Sequence, residues 1–209
     1  MAVTMSETIL DTTEERILQT ARQIFEKKGY DGTSMQEIAD AAKINKAMLH
    51  YYYRSKDKLF DRVFQLTFAG FLDCVGSVFE SNLAYLDKIR EFISIHADFL
   101  IDNQHIPSFI IHEINRNPAR IAELLRLNRD DKRFVRFFKE TAAEIESGRI
   151  RNIDARQLLV NILALNIFPV AARPILATML ELEEEGYRQF LITRKASVFN
   201  LIKDLLEVK

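Results

Sequence analysis

Imidazole and phenol groups crowd together at His50, Tyr51, Tyr52 and Tyr53, inside the basic segment KINKAMLHYYYRSKDKLF that runs from Lys43 to Phe60. Between Lys43 and Arg62 six basic residues (Lys43, Lys46, Arg54, Lys56, Lys58, Arg62) stand against two acidic ones (Asp57, Asp61), a local excess of four positive charges. Cations neutralise phosphates, while hydroxyl and imidazole groups exchange hydrogen bonds with base edges or backbone oxygens. The whole chain hides this patch, because its formal charge is only -1 at a sequence pI near 6.5. The alternative for YYY is an aromatic core cluster among ordinary solvated charges.

Other chemistry has thinner support. His96, His105 and His112 with Glu113 are metal-ligand types. However, His105 falls in an expected loop and His96 and His112 lack the i, i+4 spacing that puts two ligands on one helix face, so no metal or other cofactor is expected. Cys74 stands alone, which excludes an internal disulfide and a cysteine-rich zinc site and fits a reducing cytoplasm. Neither a nucleophile elbow, a phosphate-cradling glycine loop nor a paired acidic metal motif is present, so an enzyme is not expected. An α-helical enzyme on an apolar substrate and a helical adaptor using exposed tyrosines as a hot spot are the competing classes. The N-terminal MAVTMSETILDTTEER has no basic start and no signal-length apolar core, and no apolar run nears the roughly 18 residues of a membrane span.

The elements that must carry the basic segment are helical. Among 209 residues, 48% are hydrophobic, at three-and-four spacing, with only 6 Gly and 4 Pro, which predicts an all-α chain. A first helix is expected from the capping box Thr12-x-x-Glu15, burying Ile17, Ala21, Ile24 and Phe25 and ending at Lys27-Lys28-Gly29. Overlapping capping boxes at Thr33-x-x-Gln36 and Ser34-x-x-Glu37 open a short second helix, Asn45 caps a third over about 46 to 53, and Ser55 caps a long fourth. Two short helices separated by a three-residue turn form a helix-turn-helix. Further amphipathic segments are expected at 85 to 102, 107 to 115, 118 to 127, 129 to 147, 154 to 182 with breaks near Pro169 and Pro174, and 186 to 207.

A helical wheel then sorts the tyrosines. With Leu49 at zero and ~100° per residue, Tyr53 lies at about 40°, whereas Ala47, Met48 and Tyr51 lie between about 160° and 260°. Leu49 and Tyr53 point inward; Ala47, Met48 and Tyr51 point outward, with His50 and Tyr52 on the flanks. Three successive tyrosines span about 200° and cannot share one buried face. That outward set beside cations suits a helix reading base edges in a major groove while cations and helix N-terminal amides hold phosphates.

At these residues the sequence resembles bacterial transcription regulators of the TetR/AcrR type. The match runs through Ile17 to Phe60: A-x-x-I-F at Ala21 to Phe25, K-G-Y-D-G-T-S at Lys28 to Ser34, I-A-D-A-A at Ile38 to Ala42, and K-A-M-L-H-Y-Y-Y-R-S-K-D-K-L-F from Lys46. The resemblance implies that Lys46, Ala47, Met48, His50 and Tyr51 face the groove and that Thr33, Ser34, Tyr52 and Lys56 hold phosphates. It implies a DNA-binding domain over 1–56, and an effector-binding and dimerisation domain over 57–209 joined to it by the long fourth helix. It also implies a cytoplasmic homodimer on a palindromic operator, most often a repressor, released by a small effector. Three positions depart from the family pattern: Lys43 where a turn glycine is usual, Ala47 at the small residue after the lysine, and His50 where tyrosine is usual. A positive φ at Lys43 would cost ~1 kcal/mol relative to glycine.

Resemblance weakens after Phe60, continuing at HEINRNPAR (His112 to Arg120) and NIFPVAARP (Asn166 to Pro174). Phenylalanine is abundant there and could line an apolar cavity or fill a plain core. The candidate effector residues are Phe64, Phe68, Phe92, His96, Phe99, Phe109, His112, Phe137 and Phe168. Segments 158 to 182 and 186 to 207 are apolar around their circumference, which suits either a core helix or pairing with two-fold mates as a four-helix interface.

Overall fold

A computed structural model of the chain describes residues 4–119 and 132–208, without the side chains of 4–12, 68, 70–75, 112, 113 and 132–134. In chain order the helices are α1 (Thr4–Lys28), α2 (Met35–Ala41), α3 (Lys46–Tyr52), α4 (Lys56–Glu80), α5 (Tyr85–Asp102), α6 (Ile106–Arg116), α7 (Lys132–Glu146), α8 (Ala155–Ala171), α9 (Arg173–Met179) and α10 (Glu184–Leu206). No strand occurs among the described residues, and the all-α class expected from the sequence is the class observed. No single described helix is long and apolar enough to cross a membrane; α8 and α9 reach that length only as a pair bent by 75°. Part of the segments expected at 118 to 127 and 129 to 147 lies outside the described residues.

Two compact units divide the chain: Met1–Ala69 with Phe109–Arg116, and Gly70–Ser108 with Asn117–Lys209. In the first, α1 buries Ile17, Ala21 and Phe25, one residue per turn, with Ile24 half-buried at the edge of the stripe. The helix begins at Thr4 and not at the Thr12 capping box, since no glycine or proline between Met5 and Asp11 interrupts it. It stops at Gly29, which takes φ 70°, the left-handed conformation that glycine adopts without Cβ strain. Gly32 is required for space: a Cβ there would come within 2.4 Å of the Lys28 carbonyl oxygen.

Of the two overlapping capping boxes only the Ser34 half-bond forms, since the Glu37 carboxylate pairs with Lys28. Ser34 Oγ accepts from the Glu37 amide at 3.1 Å and caps α2, whereas the Thr33 hydroxyl turns away to donate to the Gly29 carbonyl at 2.7 Å. The α2 end closes through Ile44 N–H to Ala39 O at 3.0 Å, with Lys43 at φ 55° in the position glycine normally takes. Asn45 Oδ1 accepts from the Met48 amide at 2.7 Å and starts α3 three residues later. Phe25, Tyr30, Phe60, Phe64 and Phe109 pack beneath these helices, with ring centroids 5.0 Å apart for Phe25–Phe60 and 5.4 Å for Phe60–Phe109.

In the second unit α8 and α10 pack on α5, and Phe79, Phe92 and Phe137 interlock edge to face at 5.2 and 5.6 Å. Polar pairs cross this core: Tyr85 Oη lies 2.8 Å from Thr141 Oγ1, and Lys88 Nζ donates to both Glu140 oxygens at 2.8 Å. Of the two expected breaks the one near Pro174 occurs, at Ala172, whereas Pro169 lies inside an unbroken α8. Proline cannot donate to the Leu165 carbonyl four residues back, and Arg194 Nε takes that oxygen from α10 at 3.4 Å.

Candidate nucleic-acid interface

Burial follows the wheel on α3. Leu49 is 0% exposed and Tyr53 7%, against 42% for Met48 and 77% for Tyr51. Tyr53 is held from below by donating its hydroxyl to Glu14 Oε1 at 2.7 Å, which ties the end of α3 to α1. Burial and the neighbouring Glu14 carboxylate hold that phenol well above the ordinary tyrosine range. Lys46, Ala47 and His50 are exposed, and Tyr52 is half-buried with its ring edge-on to Tyr51 at 5.6 Å. His50 Nδ1 sits 3.4 Å from the Arg54 carbonyl oxygen.

The residues expected on phosphates are placed less uniformly. Ser34 is exposed at the start of α2, but Thr33 is 3% exposed with its hydroxyl engaged inward. Lys56 Nζ donates to the Thr33 carbonyl at 2.8 Å and lies over the Tyr30 ring, 4.1 Å from its centroid. The guanidinium of Arg116, from the end of α6, lies over the same ring at 3.9 Å, and Tyr30 Oη donates to Asp57 Oδ1 at 2.7 Å. Tyr30 and Arg116 thus fix the loop that leads into α2, a role that spacing did not reveal. Their partners lie tens of residues away, so no local pattern could have signalled them.

The candidate effector residues do not gather in one place. Phe64 and Phe109 lie 5.8 Å apart in the first unit. Phe92, His96 and Phe137 are fully buried in the second, where Phe92 and His96 stack at 6.0 Å. Phe99 is half-buried beside the smaller cluster of Leu100, Tyr187 and Leu191, and Phe168 is 60% exposed on α8. The side chains of Phe68 and His112 lie outside the described residues. Desolvation drives the His96 imidazole down to about 4, so it is neutral near pH 7, and Asn166 Nδ2 stands 3.3 Å from its Nδ1. A cavity of about 10 Å³ beside Asn166, Ala97 and Arg194 has room for roughly one water.

Residues 17–63 match the family described as "Bacterial regulatory proteins, tetR family". Over that segment the chain is similar to TetR-family regulators. It is 39% identical over 101 residues to the HTH-type transcriptional repressor NicS of Pseudomonas putida, covering 48% of this chain and 46% of that protein. It is 27% identical over 97 residues to the biofilm operon icaADBC HTH-type negative transcriptional regulator IcaR of Staphylococcus epidermidis, covering 46% and 51%. The chain spans about half the length of these curated relatives. Its fold extends to the TetR family regulator PfmR from Thermus thermophilus, with TM-score 0.67 at 20% identity over 88% of this chain and 97% of that one. The fatty acid degradation regulator FadR from Bacillus halodurans shares it too, with TM-score 0.67 at 18% identity over 90% and 93%. The relatives carry the names of transcriptional regulators, not of enzymes.

Proposed function

We propose that this chain is a cytoplasmic, homodimeric repressor that binds a palindromic double-stranded operator through α2 and α3 and is released by a small apolar or amphipathic effector. The observation that carries this reading is the exposed face of α3: Met48 and Tyr51 stand in solvent within a segment whose Lys43, Lys46, Arg54 and Lys58 are also exposed. Lys46, Ala47, Met48, His50 and Tyr51 face the groove; Ser34, Tyr52 and Lys56 contact the backbone, and Thr33 contributes by supporting Lys56 through its carbonyl. The unit built on Gly70–Ser108 and Asn117–Lys209 takes the effector and the second copy. Effector binding favours a state in which the two α3 helices are wrongly spaced for the operator.

Selection of bound sequences from a random double-stranded pool tests this directly. A palindrome is expected, and Lys46→Ala should weaken binding to it while lowering the slope of log affinity against log salt by about 1. Absence of any enriched duplex, or a slope unchanged in Lys46→Ala and in Tyr51→Ala, would overturn the reading.

A further inference from the structure

The exposed side of α3 is not flat. Asn45, Met48, Tyr51 and Tyr52 line an open hollow of about 340 Å³. Its wall is the Met48 thioether and two rings set edge to face, 87° between planes. Its polar content is neutral, because Asn45 Oδ1 is already committed to the Met48 amide and the remaining polar atoms are phenol hydroxyls and an amide. The floor of the hollow offers no cation to a phosphate, although the Tyr52 hydroxyl at its side can still donate to one. The hollow takes a small apolar group presented by a partner that is otherwise polyanionic, since exposed Lys43, Lys46, Arg54 and Lys58 belong to the same segment.

In duplex DNA one base presents such a group in the major groove: thymine, through its C5 methyl. Resting on the DNA-binding reading above, we propose that this hollow is a thymine-methyl site, so that each half-site carries an obligatory T read by Met48 and Tyr51 through apolar contact. Met48 supplies a flexible, polarisable surface that closes on the methyl, and the Tyr51 ring forms the opposite wall. An apolar side chain of a protein partner would fit the hollow by shape, but it leaves the four cations without a counter-charge.

The test uses the full chain and the duplex enriched by selection. Each thymine is replaced singly by uracil, which removes the methyl and keeps every hydrogen-bonding atom. One position per half-site should bind roughly fourfold more weakly, the loss expected for one buried methyl, and the other positions should be unchanged. Met48→Ala, a surface change, should bring the thymine-to-uracil ratio at that position close to 1. At the same position a 5-methylcytosine duplex should bind better than its cytosine twin. An enriched duplex that tolerates uracil everywhere within twofold, a Met48→Ala protein that keeps the full ratio, or equal binding of the two cytosine duplexes overturns the methyl site and leaves DNA binding standing. No enriched duplex at all overturns both.

Discussion

Lys43 is the residue whose backbone and side chain disagree. Its φ of 55° places a β-carbon where glycine is preferred, while the Ile44-to-Ala39 bond that closes α2 demands that conformation. Lys43→Gly should therefore raise unfolding stability by up to about 1 kcal/mol, read as a higher urea midpoint at unchanged slope. An unchanged or lower midpoint would show that the extra freedom glycine adds to the unfolded chain outweighs the relief of strain. His96 makes a second residue-scale prediction. Its imidazole, buried and held down to about 4, is protonated in the unfolded chain at a pH where the native protein excludes the proton. Stability is thus fully present above about pH 6.5 and is lost as pH falls toward 4, by up to about 3 kcal/mol in total. Melting temperature against pH should fall over that window, and His96→Gln should flatten the fall; an equal slope in the variant would assign the loss to other groups.

At the scale of elements, what local chemistry controls was legible. Ser34 and Asn45 cap where a serine and an asparagine ahead of helical sequence should, and Leu49 and Tyr53 turn inward because a helix repeats every 3.6 residues. What depends on distant partners was not legible. Thr33 matches a capping box as well as Ser34 does, yet the nearby Gly29 carbonyl claims its hydroxyl. Pro169 reads as a break until Arg194, in another helix, takes the carbonyl it leaves open. The α5–α7 contact holds a similar long-range pair, Lys88 with Glu140, whose lysine side chain is 6% exposed and whose glutamate is 25% exposed. Glu140→Ala strands a buried ammonium and should cost about 1–3 kcal/mol, with the partial exposure of the carboxylate keeping it below the fully buried limit. Lys88→Met with Glu140→Leu should recover most of that, because it removes the desolvation cost along with the pair. A double variant as unstable as Glu140→Ala would show that packing, not charge, holds α7 to α5.

On the scale of the molecule, apolar surface remains after the chain has folded. Val160 is 57% exposed and Phe168 60% on α8, Ile175 66% and Met179 72% on α9, and Leu201 56% on α10. The inward faces of α8 and α10 are already filled by Leu158, Ile162, Val198 and Ile202, so these side chains are a second apolar face left over from core formation. Exposed apolar side chains on α8, α9 and α10 suit the proposed dimer, in which a copy related by two-fold symmetry presents the same surface in return. Phe168→Glu combined with Leu201→Glu should convert a dimer into a monomer in sedimentation equilibrium at micromolar concentration, with helix content unchanged by circular dichroism. On the proposed dimeric reading, two linked recognition helices bind the second half-site at high effective concentration, so losing the dimer should weaken operator binding by at least about a hundredfold. The same variant should bind an isolated half-site as the parent chain does. Equal losses on half-site and full operator would place those side chains in the folding of α8 and α10 instead of in an interface.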